Sequence, residues 1–428
     1  MASITLKLPT GGLRWENTPQ PASQSARPVL PACPRHRSEF AVLCRRGRRT
    51  RSCASALLLA VLSGCVTDAP DAAVSRDRES SPGQGERLNL ELIHLSPPSL
   101  ELSHVESIDI DSRGRIYVVD RLLPGVTVLS PSLNPVRAVG RVGDGPGEFR
   151  QRQIQLLDGD SLAVFDSDLG RVTVFDPNSF AVVRTFRPTG FANQIPGRYW
   201  AMGETRSLAV MRRAFHARET GDADAERYDV VMTSTLGATE ADTLLIMPSA
   251  EVLVARAPGF VSVGNHPYGL EPLIRPLDSS RIAYARTGEA RFWVLGASGD
   301  TIGSGSALTE PVDVPQRQLE EEIAENWHGP LAEALRSGAP YQWPVIVGLA
   351  AVVGAGPAEI WMNVRGPADA GRWPVFVFDT NGRHAGTSSL PAGEVLRAVR
   401  DDVAVTTSTD SLDIPWIHSY RVARSPRR

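Results

Sequence analysis

The side chains that could do chemistry are scattered along the chain. Beyond residue 65 the histidines are His94, His104, His216, His266, His328, His384 and His418, and none is paired at the spacing of a metal site. Two carboxylates are patterned. Asp120 and Asp166 lie 46 residues apart, and each ends an apolar run. Such carboxylates can hold Ca²⁺, which favours oxygen ligands, or accept the N–H groups of the turn that follows. His104, His266 and His418 stand in separate segments, and only a closed ring would bring them to one Zn²⁺. Asp120, Asp166, His104, His266 and His418 are therefore the metal candidates, with Ca or Zn as the cofactor in that case. No catalytic residue is assigned. The chain has no Gly-x-Ser-x-Gly elbow, and no Cys follows Cys65 to serve as a thiol nucleophile. His266-Pro267-Tyr268 and Trp327-His328 join rings to loop or helix positions. His266, Tyr268, Trp327 and His328 are the candidate loop-face binding residues, since aromatic anchors carry much of the affinity of an interface.

Composition sets the limits within which these groups act. The 428 residues carry a formal charge of −3 and are 42% hydrophobic and 22% charged. These proportions exclude a disordered chain and a multi-span membrane protein. Before Cys65 ten basic residues face only Glu16 and Glu39, a net of +8, which leaves −11 beyond it. An acidic body argues against nucleic acid as a partner, because phosphate contacts need clustered cations. Gly 37 and Pro 33 without a fixed period exclude collagen and point to many turns.

The basic segment Arg45-Arg46-Gly47-Arg48-Arg49-Thr50-Arg51 precedes the apolar run Ala54–Leu62. That order is a secretory signal, and the run is too short to span a bilayer, which takes about 20 apolar residues. It ends in Leu62-Ser63-Gly64-Cys65, which resembles the lipobox of bacterial lipoproteins at all four positions. The resemblance implies cleavage before Cys65 and a lipid on its thiol. Val66 in place of Asp implies an outer-membrane or surface destination in the cell envelope. Cys33, Cys44 and Cys53 all precede that point, so a processed chain has no intramolecular disulfide. Residues 1–64 are read as an upstream extension plus a signal peptide from about 42, with the true start expected near Val42 or Leu43. Residues 65–86 are small, polar and rich in Pro and Gly, and are read as a flexible tether.

From His104 onward short strands alternate with Asp/Gly/Pro/Ser turns. Ser107–Asp111, Arg115–Asp120, Gly125–Leu129 and Pro135–Val139 predict a four-stranded antiparallel meander. Gln153–Leu157, Ser161–Asp166, Arg171–Phe175 and Ala181–Phe186 repeat it, with Val126-Thr127-Val128 and Val172-Thr173-Val174 46 residues apart. A period of 40–50 residues with four strands per unit is the signature of propeller blades. Further copies are read from about Ile195 to Pro248 (with a polar insertion, Arg218–Arg227), after Pro267, around Glu359–Asp379, and from Glu394 to Val422. The last copy shows three strands, and the lone strand Leu88–Ile93 is expected to complete it and close the ring. The predicted fold is all-β: a six-bladed β-propeller of four-stranded antiparallel blades over residues 87–424. Between blades 4 and 5, Leu319, Ile323, Trp327 and Leu331 recur at spacings of four and predict one helix of about 20 residues within 315–337. Glu320, Glu321, Glu322 and Glu325 are expected toward its start, where a helix dipole favours anions, and the helix is expected to pack on the propeller edge.

Gly140-Arg141-Val142-Gly143-Asp144-Gly145-Pro146-Gly147-Glu148-Phe149 resembles the connector between blades of bacterial six-bladed β-propeller lipoproteins, relatives of the NHL-repeat proteins. Asp111–Asp120 is similar to the NHL blade core, and Ile414-Pro415-Trp416 with Tyr420-Arg421-Val422 fits the C-terminal blade. The resemblance covers roughly residues 86–424. It implies the fold and a partner-binding loop face, with metal-dependent lactonases and a lyase among related rings. Physically, Gly143, Gly145 and Gly147 are expected to take backbone angles closed to other residues, with Phe149 anchoring the loop between blades. The run is no phosphate cradle, since neither Lys-Ser/Thr nor a helix follows it. The expected function is a lipid-anchored, monomeric, non-enzymatic binding or scaffold module for a protein or small ligand. The alternative is a lactonase-like hydrolase or lyase with a cation on the axis.

Overall fold

The computed structural model describes residues 86–191, 195–212, 228–235, 238–257, 260–352, 354, 356–367 and 369–424. The signal segment, Cys65, the tether and the insertion 218–227 lie outside the described residues. The described part is an all-β, propeller-like arrangement with two short helices.

Four sheets are separate four-stranded antiparallel meanders in chain order. The first holds β2 (Val105–Ile110), β3 (Ile116–Asp120), β4 (Val126–Leu129) and β5 (Pro135–Val139), and follows β1 (Glu86–Leu95) in the chain. A short parallel pair, β6 (Arg141–Val142) and β7 (Glu148–Phe149), leads into the second. That sheet holds β8 (Gln153–Leu156), β9 (Leu162–Asp166), β10 (Arg171–Phe175) and β11 (Val182–Phe186). The third holds β12 (Arg198–Met202), β13 (Arg206–Arg212), β14 (Tyr228–Thr235) and β15 (Asp242–Pro248). A two-stranded hairpin, β16 (Val252–Ala257) and β17 (Phe260–Asn265), follows; the sequence reading had no element there. The fourth sheet holds β18 (Pro272–Pro276), β19 (Ile282–Arg286), β20 (Arg291–Leu295) and β21 (Thr301–Ser306).

The remaining strands form one eight-stranded sheet. They are β22 (Ile346–Val352), β23 (Glu359–Val364), β24 (Arg372–Asp379), β25 (His384–Pro391), β26 (Val395–Arg400), β27 (Val403–Thr409) and β28 (Pro415–Arg424), with β1 inserted between β25 and β28. The expected closing strand therefore forms. β1 runs antiparallel to β28, with Leu88 opposite Arg424 and Leu90 opposite Val422. Arg424 grips the buried carboxylate of Glu359 through two bonds of 2.9 and 2.8 Å, and Trp361 Nε1 donates to the same carboxylate at 2.9 Å.

Burial explains the strand sequences. β3, β9 and β23 are buried at every position, so they read as continuous apolar runs rather than the alternation expected of a half-exposed strand. Outer strands β5 and β11 are mostly exposed. Between the first two sheets, Tyr117, Val119, Phe149, Leu162 and Phe175 share one core, with Phe149 and Phe175 edge to face at 5.9 Å. Phe149 thus anchors the connector as expected. Gly140 and Gly147 hold φ of 74° and 75°, and a Cβ on Gly140 would lie 2.3 Å from the Phe149 ring. Gly145 does not share this left-handed geometry, contrary to expectation. Its N–H donates to Glu148, and Arg171 bonds to the backbone oxygens of Asp144, Gly145 and Glu148.

The insertion is two helices, not one: α1 (Gln316–Asn326) and α2 (Gly329–Ser337). Trp327 leaves the helix with φ −128° and ψ 135°, and His328 is equally extended. Pro330 sits in the first turn of α2, where the missing N–H costs nothing. The first turn of α1 holds no acidic residue, so the expected anion–dipole pairing is not made.

The first strand of each repeat is a sheet edge. β2, β8, β12 and β18 are edges of their sheets, and β22 and β26 are the two edges of the large one. These strands lie side by side: β22 with β26, β26 with β2, β2 with β8, β8 with β12, and β18 with β22. Their backbones splay too far for a ladder, and side chains fill in. The Gln153 amide donates to Tyr199 O at 2.7 Å and accepts from Tyr199 N at 3.2 Å. Gln155 makes the same pair with Ala201 at 2.8 and 2.9 Å. Asp109 accepts from Leu156 N at 2.8 Å, and Asn363 from Leu396 N at 3.2 Å. Each bond satisfies an edge backbone group that would otherwise be orphaned.

Candidate functional site

Asp120 and Asp166 are fully buried clips. Asp120 accepts the N–H groups of Ser103, His104 and Leu122 at 2.9, 2.7 and 3.0 Å, plus the Ser103 hydroxyl at 2.9 Å. Asp166 accepts those of Arg150, Gln151, Asp168 and Leu169 at 2.8 to 3.3 Å. Each ties the loop entering a sheet to the end of its second strand. Backbone donors on this scale meet the carboxylate's need for partners without a cation. His104 itself is exposed. Among the described residues no three His, Cys, Asp or Glu side chains gather at metal-holding distance.

His418 sits on β28 within a polar network. Its Nε2 is 2.9 Å from Ser408 Oγ, and its Nδ1 lies 3.7 Å from Glu394 without a hydrogen-bond partner. Burial holds the His418 pKa below its ordinary value, so the ring is neutral at neutral pH. The order Ser–His–carboxylate is that of a hydrolytic triad. Here, however, the buried Glu394 accepts from Tyr420 OH at 2.8 Å and Thr406 Oγ1 at 2.6 Å, and 3.7 Å is beyond bonding range for the imidazole. The network fastens β26, β27 and β28 together.

Three of the four binding candidates meet in one cap. α2 packs on β16 and β17, and the cap has its own apolar core of Leu253, Tyr268, Leu319, Ile323 and Leu335. Tyr268 is only 5% exposed, perpendicular to Trp343 at 5.0 Å and 5.6 Å from Tyr341. The His266 ring stands 4.8 Å from that of Tyr341, and its Nδ1 accepts the Tyr268 N–H at 3.1 Å. Trp327 is half-buried and donates from Nε1 to Glu322 at 2.9 Å. It covers Gly264, where a Cβ would lie 2.8 Å from its ring. Arg365 is sandwiched between Trp343 and Trp373 at 4.4 and 4.7 Å, and burial lowers its pKa to about 10. Tyr268 therefore belongs to the core of the cap and offers no ring to a partner at the surface. His328 is the exposed member, just before α2.

A second group of side chains, which the sequence analysis did not single out, lies on the innermost strands. Asp109 on β2, Arg198 on β12, Arg275 on β18, and Arg397 and Arg400 on β26 all belong to innermost strands, and Glu271 precedes β18. All five strand residues are half-buried, keeping some contact with water while surrounded by protein. β2 and β18 share no sheet, yet Asp109 and Arg275 feel each other's charge, which places both toward the common interior. Burial, and then the nearby Arg198 and Arg397, push the Arg275 guanidinium down to about 10, so it stays charged at neutral pH. Burial likewise lowers Arg397, with Glu271 opposing. Burial raises Asp109 to about 6, against the pull of two backbone N–H bonds and of Arg400 and Arg275. Arg400 is 3.2 Å from Asp160, donates to Ile110 O at 3.1 Å, and has a buried Nε without a partner. Arg275 also donates to Ile274 O at 2.9 Å, and Arg397 Nε donates to Thr407 Oγ1 at 2.8 Å, so each is held in part by its own sheet.

Known proteins resemble the chain in fold alone. No family model and no curated protein matches the sequence. Among solved structures, a DUF4221 family member from Bacteroides vulgatus matches with a TM-score of 0.48 at 8% identity, covering 80% of this chain and 100% of its own. A Bacteroides fragilis protein, provisionally described as exported, matches with a TM-score of 0.45 at 13% identity, covering 78% and 95%. Virginiamycin B lyase from Staphylococcus aureus matches with a TM-score of 0.38 at 7% identity, covering 79% and 100%. No described helix is long and apolar enough to cross a membrane.

Proposed function

We propose that the chain is a lipid-anchored, extracytoplasmic six-bladed β-propeller of the NHL-like lipoprotein type, which binds a ligand in its ring without transforming it. The eight-stranded sheet counts as two blades, because β22–β25 and β26–β28 with β1 are each antiparallel meanders joined only by the parallel pairs Glu86–Gly386 and Arg87–Thr387. Leu62-Ser63-Gly64-Cys65 supports the anchor, and Val66 supports an outer-membrane address. The observation that carries the binding reading is the charged lining of the axis. Half-buried charges cost stability unless they are paired or used.

Native mass spectrometry of the full chain extracted from membranes tests the reading. The expected result is a stoichiometric bound molecule that is returned chemically unchanged after incubation. An empty chain would overturn the binding claim, and conversion to product would overturn the non-enzymatic one. Cys65→Ala is expected to release the chain from the membrane fraction.

A further inference from the structure

We propose that the outer cleft between β1 and β25 is a docking site for an extended, acidic peptide segment of a partner protein, which adds to the sheet edge there and pairs its carboxylates with Arg87 and Arg372. The site lies on the rim of the molecule and does not depend on the ligand reading above.

The topology supplies the first argument. β1 and β25 are the outer strands of neighbouring meanders, and they run parallel. Only Glu86–Gly386 and Arg87–Thr387 pair; beyond them the strands part and leave a cleft of about 580 Å³. Arg87–Leu90 line one wall, and Thr387–Ser389 with Arg372 line the other. Comparable places elsewhere are filled. Phe149 of the connector packs between the first two sheets. Where the fourth sheet meets β22–β25, β21 lies so close to the turn after β24 that a Cβ on Gly303 would be 2.6 Å from Thr380 O. A parallel pairing that stops after two residues leaves two sheet edges on one open space, and such an edge is a template for a further strand.

The lining supplies the second argument. Leu88 and Leu90 turn into the core that also holds Leu390. The half-buried Thr387, Ser388 and Ser389 and the exposed Asn89 leave polar groups around the cleft. Arg87 and Arg372 are both exposed. Arg372 donates from Nε to Ser389 Oγ at 2.8 Å and from Nη2 to Ser389 O at 2.5 Å. These bonds fix the guanidinium at the wall, but both acceptors are neutral and Nη1 takes part in neither. No acidic side chain lines the cleft. The acids of β1 are turned to other cations: Glu91 is 3.9 Å from Arg421, and Glu86 lies within electrostatic reach of Arg424. Two guanidinium groups therefore flank the cleft, and their fork of N–H donors matches a carboxylate. The edge backbone matches the N–H and C=O groups of a peptide, and no aromatic ring lines the cleft to stack on a sugar.

Fluorescence anisotropy of the full chain in detergent, with labelled heptapeptides, tests this. The probes are a peptide alternating Val and Glu, its counterpart with Lys in place of Glu, and the Glu peptide N-methylated at alternate backbone amides. The expected result is saturable binding of the unmethylated Glu peptide alone. It is expected to weaken about threefold in Arg87→Gln and in Arg372→Gln, and about tenfold in the double variant, the scale of exposed ion pairs. Arg87 makes no bond to Ser389, so its variant reports even if Arg372→Gln does not fold. The proposal is overturned if the Glu peptide does not bind saturably, if the Lys or N-methylated peptide binds equally well, or if the variants bind like the wild type. A dimer of the full chain that Arg87→Gln dissociates would assign the cleft to a second copy and overturn it. Tighter binding of an oligogalacturonate, an acidic glycan, would do the same.

Discussion

The cap and the axis use similar residues to opposite ends. In the cap, Arg365 lies between Trp343 and Trp373, and Tyr268, His266 and Tyr341 fill the space beneath two helices. Rings meet the cation there, so burial is matched by contacts. On the innermost strands, Arg275 lies near Arg198 and Arg397 and donates to Ile274 O at 2.9 Å, while Arg397 donates to Thr407 Oγ1 at 2.8 Å. The difference teaches that an aromatic cluster next to an inserted helix can be a small core of its own. The charged side chains of the innermost strands meet backbone and hydroxyl oxygens instead of rings.

The largest effect that sharpens this contrast is on stability. Tyr268→Ala should cost about 3–5 kcal/mol in denaturant unfolding, the range for deleting a buried ring, and leave ligand binding by the folded chain unchanged. A stable variant that has lost its ligand would move the site to the cap. Arg424→Met leaves Glu359 buried without its cation and should cost about 2 kcal/mol, with part regained in the double variant Glu359→Gln/Arg424→Met. Both partners lie in the closing seam, so ligand binding again should not change.

The pH dependence of stability separates the regions more finely. The folded-state pKa of Asp109 is raised above its unfolded value. Its contribution is therefore fully present below about pH 4 and is lost as the pH rises through about 6. Burial lowers His266 in the cap, so that group acts in the other direction: its contribution is present above the unfolded pKa near 6.5 and is lost as the pH falls. Asp109→Asn should remove the first component and His266→Gln the second, as read from melting temperature against pH. The smallest effects are expected at His328→Ala, within about 0.5 kcal/mol for an exposed site, and from EDTA. Under the proposed reading EDTA followed by Ca²⁺ or Zn²⁺ leaves the melting temperature unchanged. A reversible loss of several degrees would favour the lactonase-like alternative.

Much of the fold was legible because strand repeats are local signals. Val126-Thr127-Val128 and Val172-Thr173-Val174 marked the period, and Leu88–Ile93 marked the closing strand by its isolation. The hairpin β16–β17 was missed: Val252–Asn265 stands outside the 46-residue rhythm. The helix break at Trp327 was masked by an unbroken stripe of apolar residues at spacings of four. The axial lining was the least legible part. Arg198, Arg275 and Arg397 each sit in a strand as an ordinary solvent-facing residue would, and only the topology shows that they share the innermost strands. The one available signal was their shared place in the first strand of a repeat.

Hydrogen exchange of the full chain with and without the molecule that co-purifies with it tests the central claim most directly. The account predicts slower exchange at residues 105–110, 198–202, 272–276 and 395–400, with the helices Gln316–Asn326 and Gly329–Ser337 unchanged. Protection confined to those helices and the hairpin beneath them, with the innermost strands unaffected, would contradict it.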